Sequence, residues 1–222
     1  MVTAITPVAQ AMAMAASESA ARMEWSPRTA FALSLALALV VSACGSSAAS
    51  RNGGQRVDVS GVALLHGAAP PRGWMQVRAV AGGAILTAPA TWHRVAGDPG
   101  SVTLELGRNP DRPVGYLNAT PAVAGERLGH WVGFRLHHNR EEGDRQVRFL
   151  AARRQVSLGM KTVATCVQDA YSTSTARYIE IACLAQTPTK RTVIVAASPK
   201  RTWNQQWRTL TRAIDAISPS PA

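Results

Sequence analysis

The stretch Val163–Ala185, VATCVQDAYSTSTARYIEIACLA, carries the strongest fold signal in the chain. Its two ends, Val163–Tyr171 and Tyr178–Ala185, are rich in Val, Ile, Thr and Tyr, which favour β-strands. The small and polar residues Ser172–Arg177 separate the two runs. The pattern predicts an antiparallel hairpin in which Tyr171 lies opposite Tyr178.

The same register places Cys166 opposite Cys183, because each cysteine lies the same number of residues from its tyrosine. Directly opposite residues have Cα atoms roughly 4.5–5.5 Å apart, which is within the range of a disulfide. A bridge closing a loop of this size contributes about 3 kcal/mol. We therefore expect a structural disulfide between Cys166 and Cys183.

Further strands flank the hairpin. Apolar and β-branched runs predict a continuous antiparallel meander of four strands: Gln146–Val156, Lys161–Tyr171, Arg177–Gln186 and Thr192–Ala197. Nearer the N-terminus, shorter runs predict strands at Met75–Val80, Ala84–Ala88, Val102–Leu106 and Val114–Asn118.

A helix is predicted at the end of the chain. Apolar residues recur there at spacings of three and four, which defines one helix face: Trp203, Trp207, Leu210, Ile214 and Ile217. We expect this stripe to be buried, and Arg208, Arg212 and Asp215 lie off it. Thr202 with Gln205 predicts a capping box, and Pro219 predicts the end of the helix.

A second helical pattern lies between Pro121 and Asn139, with Leu128, Trp131 and Val132 near one stripe. The order of elements predicts an α+β fold, a single antiparallel β-sheet covered by helices, over residues 60–218.

Two segments carry a resemblance to a known fold family. Ile85-Leu86, followed by Pro89 and Trp92, resembles the apolar strand and Pro-x-x-Trp opening of Mog1/PsbP-like domains. The closing run, Thr192–Pro199 with Trp203 and the helix after it, is similar to the last strand and helix of that fold. Members include actinobacterial envelope lipoproteins, so the resemblance implies a binding or assembly role and supplies no catalytic residues.

The N-terminal region has the features of an export signal. As a helix, the apolar stretch Ala30–Ala43 reaches roughly 21 Å, short of the ~30 Å core of a bilayer. Arg28 precedes it, and Val41–Cys44 resembles the lipobox of bacterial lipoproteins. The resemblance implies a signal peptide at 1–43, with Met23 as an alternative start.

In lipoproteins with this motif, diacylglycerol and fatty acyl chains such as palmitate are attached to the cysteine, here Cys44. The resemblance therefore implies a lipidated residue and flexible linker at 44–59, attached to the cell membrane. The domain would then lie on the extracytoplasmic side, where disulfides persist.

The chain is strongly basic, with 24 Lys and Arg against 13 Asp and Glu and a formal net charge of +11. An exported basic protein meets anionic lipid headgroups or anionic wall polymers, and a simply solvated basic surface is the alternative. Nucleic acid is a poor candidate partner, because an exported protein is separated from the nucleic acid of the cell and no recognition motif is present. The sequence identifies no protein partner.

One polar segment could carry chemistry. His137 and Glu141 lie at i and i+4, a spacing that could share a metal ion with His138, although a charged helix end explains the same residues. The HExxH order, a Gly-x-Ser-x-Gly elbow and a phosphate-binding glycine loop are all absent from the sequence, and no cofactor is predicted. The favoured hypothesis is a non-enzymatic binding or assembly module; the alternative is a metal-dependent hydrolase using His137, His138 and Glu141.

Overall fold

A large antiparallel sheet forms the centre of the protein. The computed structural model describes residues 60–79, 83–107, 114–158 and 162–219. The strands are β1 (Trp74–Ala79), β2 (Ala84–Pro89), β3 (His93–Val95), β4 (Val102–Leu106), β5 (Gly115–Pro121), β6 (Arg145–Ser157), β7 (Val163–Ser172), β8 (Arg177–Gln186), β9 (Arg191–Pro199) and β10 (Ser218–Pro219). The helices are α1 (Trp131–Glu141) and α2 (Lys200–Asp215), and Gly61–Leu64 forms one turn of 3-10 helix.

The predicted hairpin register is confirmed. Strands β7 and β8 pair antiparallel, with Tyr171 opposite Tyr178 and Cys166 opposite Cys183. The two tyrosine rings stack with their centroids 5.7 Å apart. Strands β6, β7, β8 and β9 are consecutive neighbours, so the predicted four-stranded meander is also confirmed.

The expectation of a single sheet is wrong. Seven strands form the main sheet in the order β3-β4-β5-β9-β8-β7-β6, while β1, β2 and β10 form a separate three-stranded sheet. The chain turns away after β2, where the Trp92 N–H donates to the Pro89 carbonyl at 2.9 Å. The other side of β2 pairs with Ser218–Pro219, which follow α2. This pairing gives the small sheet its third strand.

Helix α2 covers one face of the main sheet, as predicted. Trp203, Leu210, Ile214 and Ile217 are buried in a core that also contains the small sheet and the two cysteines of the hairpin. Trp207 is only half-buried, so the expectation of a fully buried stripe holds for the other four residues and not for Trp207.

Two further details of α2 differ from the prediction. The helix begins at Lys200, and no side chain caps it; the Thr202 hydroxyl instead donates to the carbonyls of Val114 and Pro199. Asp215 was predicted only to lie off the apolar stripe, but it is buried, and its Oδ1 accepts the backbone N–H groups of His66 and Gly67 at 2.6 and 2.7 Å. A carboxylate that ties a distant segment to the helix end cannot be found from helical periodicity alone.

Helix α1 covers the opposite face of the main sheet. It begins at Trp131, about ten residues later than the pattern suggested, and ends at Glu141, two residues beyond Asn139. Residues 122–130 form turns, where Gly125 has a φ of 99° that disfavours helix. Trp131 is buried in a small apolar cluster with Val167, Ala182 and other sheet residues, and its indole N–H donates to the Ala182 carbonyl at 3.0 Å.

Candidate functional site

The histidine segment at the end of α1 divides into two separate pairs of side chains. His137 lies 3.1 Å from Glu141, and His138 lies 3.2 Å from Glu142, so the two histidines have separate partners. All four side chains are at least 40 % exposed. The part of the chain that the structure describes contains no group of three or more His, Cys, Asp or Glu side chains placed to hold a metal ion.

The structure describes two of the three cysteines for which a role was predicted. Cys166 and Cys183 are joined by a disulfide, and both residues are fully buried beneath α2. Cys44 lies outside the described residues, and the lipid attached to it stays a prediction. None of the described helices combines the length and apolar character needed to cross a lipid bilayer.

Beneath α1 lies a group of charged residues that sequence reasoning missed, here called the ionic cluster: Arg135, Asn139, Asp169 and Glu180. Arg135 donates to both carboxylate oxygens of Glu180, at 2.7 Å from Nε and 2.9 Å from its terminal nitrogen. The Asn139 amide donates to the same carboxylate at 3.4 Å. Asp169 lies directly opposite Glu180 in the β7–β8 pairing, and both acids have no solvent exposure.

The charges in the ionic cluster do not balance if both acids are ionised. Neither oxygen of Asp169 has a hydrogen-bond partner in the described structure, whereas Glu180 has the guanidinium of Arg135. Burial, followed by the adjacent charge of Glu180, raises the pKa of Asp169 well above its usual range. The raised pKa favours the protonated form of Asp169 beside the paired carboxylate of Glu180.

The neighbourhood of the ionic cluster extends towards the end of the sheet. Burial and the charges of Glu142 and Glu180 raise the pKa of Asp144 to about 6. The hydroxyls of Tyr116 and Tyr171 lie 3.3 Å apart, and burial raises the pKa of both phenols. A protonated acid beside an ionised one is also found in active sites, but here both carboxyl groups are closed to solvent. The geometry makes the ionic cluster a structural device that attaches α1 to the sheet.

The surface is more basic than the net charge suggests, because several acids are buried. Four acids are buried: Glu126, Asp169, Glu180 and Asp215. Three of them accept hydrogen bonds within the protein, and Asp169 lies opposite Glu180 in the sheet. By contrast, every described arginine except Arg135 and Arg191 is exposed. The surface that meets the surroundings is therefore dominated by guanidinium groups.

The exposed arginines are dense on β6, the edge strand of the main sheet. Arg145, Arg148, Arg153 and Arg154 are exposed there, and the strand contains no acidic residue. Arginines and register shifts along an exposed edge hinder pairing with another chain, and the β6–β7 register shifts at three places. Arg153 additionally holds the 3-10 turn by donating to the carbonyls of Ala63 and Leu65.

A polar cleft, here called the arginine cleft, lies where β6, β7 and β8 end. It has a volume of about 550 Å³ and is lined by Arg145, Gln146 and the link Ser172–Arg177. The lining contains no acidic side chain and one aliphatic residue, Ala176. The two arginines and the hydroxyl groups of this lining suit a small anionic group.

Comparisons with known proteins show a similarity in the backbone fold only. No family model matches the chain, and no curated protein matches it either. Similar solved structures include cyanobacterial PsbP (CyanoP) from Synechocystis sp. PCC 6803, with 14% identity, a TM-score of 0.48 and coverage of 69% of this chain and 96% of that one. LpqN, described as involved in cell envelope biogenesis of Mycobacterium tuberculosis, has 13% identity and a TM-score of 0.42, over 67% of this chain and 91% of its own.

A protein of unknown function, PA94 from Pseudomonas aeruginosa, is also similar, with 11% identity and a TM-score of 0.46 over 67% of this chain and 99% of that one. With TM-scores below 0.5, these likenesses carry no conclusion about what this chain binds or where it acts. The Mog1/PsbP-like assignment stays a prediction from the residues quoted above.

Proposed function

We propose that this chain is a lipoprotein anchored through Cys44 on the extracytoplasmic side of the cell membrane. Its α+β domain, which we assign to the Mog1/PsbP-like type, acts there as a non-enzymatic module that binds an anionic component of the envelope. The lipobox-like Val41–Cys44 supports the anchor, and the Cys166–Cys183 disulfide fits an oxidising compartment.

The observation that carries the binding role is the division of charge between the interior and the surface. The buried acids Glu126, Glu180 and Asp215 accept hydrogen bonds within the protein, and these carboxylates do not neutralise the exposed arginines. A surface with this excess of guanidinium groups attracts anionic lipids and polymers, and the attraction weakens as salt rises. The alternative is a hydrolase built on His137, His138 and Glu141, but the described residues contain no group of three or more such side chains placed to hold a metal ion.

The anchor and the charge are tested together by fractionating cells that express Cys44→Ala. We expect the variant to leave the membrane fraction or to accumulate as an unprocessed precursor, because the thiol that would receive the lipid is gone. Any processed variant that stays with the envelope should be released when the salt is raised from about 50 to about 500 mM, since screening removes the remaining attraction. Ser42→Ala keeps a small residue before the cysteine and serves as the matched control.

Normal processing and undiminished membrane retention of Cys44→Ala would overturn the lipid anchor. Processed variant that remains on the envelope at both salt concentrations would contradict the charge-based binding.

A further inference from the structure

The ends of three neighbouring strands bring two arginines to one face of the sheet. Arg145 pairs with Ser172, and Ser172 pairs with Arg177, so the three residues form a row across β6, β7 and β8. With strands ~4.8 Å apart, the Cα atoms of the two arginines are roughly 10 Å apart. Directly opposite residues of an antiparallel pair point to the same face, so both guanidinium groups start from the same side.

The surroundings of this row favour an anion. Arg145 and Arg177 are exposed, and neither forms an ion pair with a described residue. Arg148 pairs with Ala170, two residues before Ser172, and therefore adds a third guanidinium group on the same face. Since the cleft lining has no carboxylate, nothing in it neutralises the two arginines.

The hydroxyl groups of the link give the cleft a defined wall. The Thr173 hydroxyl accepts the backbone N–H groups of Thr175 and Ala176 at 3.2 and 3.1 Å, which fixes the turn. The Ser172 hydroxyl donates to the Gln146 side-chain carbonyl at 3.2 Å and so joins the wall on β6 to the wall on β7. The cleft is thus bounded on both sides by contacts within the protein and does not need the ligand to form it.

We propose that the arginine cleft binds phosphate groups of a soluble polyol phosphate chain, with Arg145 and Arg177 as the phosphate ligands. This inference rests on the proposed binding role and names its ligand chemistry. Planar guanidinium groups donate paired hydrogen bonds to phosphate oxygens, and hydroxyl side chains can accept from the neutral part of the chain. A volume of about 550 Å³ holds more than one isolated oxyanion, since small-molecule sites span roughly 300–1,000 Å³.

A chain in solution fits this site better than a headgroup in a bilayer. The cleft is an open depression, and its lining offers no large apolar side chain that could enter a lipid surface. A flat membrane would meet the rim of such a cleft, whereas a flexible chain can enter it.

The test compares two variants that remove the same charge from different places. Arg145→Gln/Arg177→Gln empties the cleft of its arginines, and Arg94→Gln/Arg212→Gln removes two exposed arginines from β3 and α2. The full chain, purified in neutral detergent, is titrated with a glycerol phosphate oligomer at low salt. We expect the cleft variant to bind about tenfold or more weakly, because paired charge-assisted hydrogen bonds are lost, and the control to change by less than about twofold.

Equal losses in the two variants would overturn the cleft and leave the general attraction to anions intact. Failure of the unmodified chain to bind the oligomer or any other polyanion would overturn both the cleft and the proposed function. Tighter binding to micelles containing phosphatidylglycerol than to the oligomer would overturn the choice of a soluble chain. Unchanged melting temperatures in both variants would show that the comparison reports binding and not folding.

Discussion

The two faces of the main sheet are covered by helices of opposite character. Helix α2 contacts its face mainly through apolar side chains such as Trp203, Leu210 and Ile214, although Thr211 and Asp215 are buried as well. Helix α1 buries Trp131 at its beginning, but towards its end it contacts the sheet through Arg135 and Asn139. One face is therefore held mainly by apolar area removed from water, and the other by the apolar cluster around Trp131 together with a set of buried charges. The apolar contact of α2 can be predicted from sequence periodicity, whereas the buried charges under α1 depend on which side chains meet in space.

The largest effect is expected where the apolar face is emptied. Trp203 is 5% exposed, so Trp203→Ala should lower the free energy of unfolding by about 3–5 kcal/mol, measured by denaturant titration. Trp207→Ala should cost distinctly less, because that ring is half-buried and lies 5.2 Å from the Arg208 guanidinium at its outer side. Arg212→Ala, on the exposed side of the same helix, should change stability by no more than about 0.5 kcal/mol. A greater loss from Trp207→Ala than from Trp203→Ala would mean that the helix is rotated from the position described.

A smaller but sharper loss is expected on the charged face. Arg135→Met leaves Glu180 buried without its cation, which should cost about 3 kcal/mol at pH 7. Arg140→Met changes an exposed arginine of the same helix and is the matched control.

The double variant Arg135→Met/Glu180→Met separates a missing partner from a missing contact. It removes both charges and should recover most of the stability, because a well-packed apolar pair can replace a buried ion pair. If the double variant were as unstable as Arg135→Met alone, the arginine would act through packing of its stem and not through its charge.

The sequence predicted those parts of the fold that rest on a repeating pattern. The β7–β8 register follows from Tyr171 and Tyr178, and the position of α2 follows from its apolar stripe. The small sheet was missed because β10 is only Ser218–Pro219, and a pair of residues shows no period. The late start of α1 was missed because the helical pattern continued through residues 122–130, which form turns in which Gly125 has a positive φ.

The ionic cluster left a signal that could have been found. On β7, Asp169 lies on the same face as Val167 and Tyr171. On β8, Glu180 lies on the same face as Tyr178 and Ala182. Both acids are therefore on a buried face of the sheet. Their register follows from the same hairpin that places the cysteines, which puts the two carboxyl groups opposite each other. The partner from α1 could not be found, since nothing in the sequence states which turn of that helix lies above β8. The arginine cleft was missed for a similar reason, because Arg145 and Arg177 are distant in sequence.

The smallest effect, with a sign opposite to the others, is expected at Asp169. Because its pKa in the folded protein is raised, the folded state holds a proton that the unfolded chain releases above roughly pH 3.9. Holding that proton costs free energy that grows as the pH rises from about 4 towards neutrality.

Asp169→Asn matches the protonated side chain in shape, and its amide can donate to Glu180, but it needs no proton from solvent. The variant should therefore be more stable than the unmodified protein by about 1–2 kcal/mol near pH 7, and the difference should vanish near pH 4. Denaturant unfolding at three pH values between these limits measures it, with Asp98→Asn as the matched substitution at an exposed position. A loss of stability in Asp169→Asn at pH 7 would mean that Asp169 is ionised in the folded protein, and the charged face would then contain an anion that the described contacts do not balance.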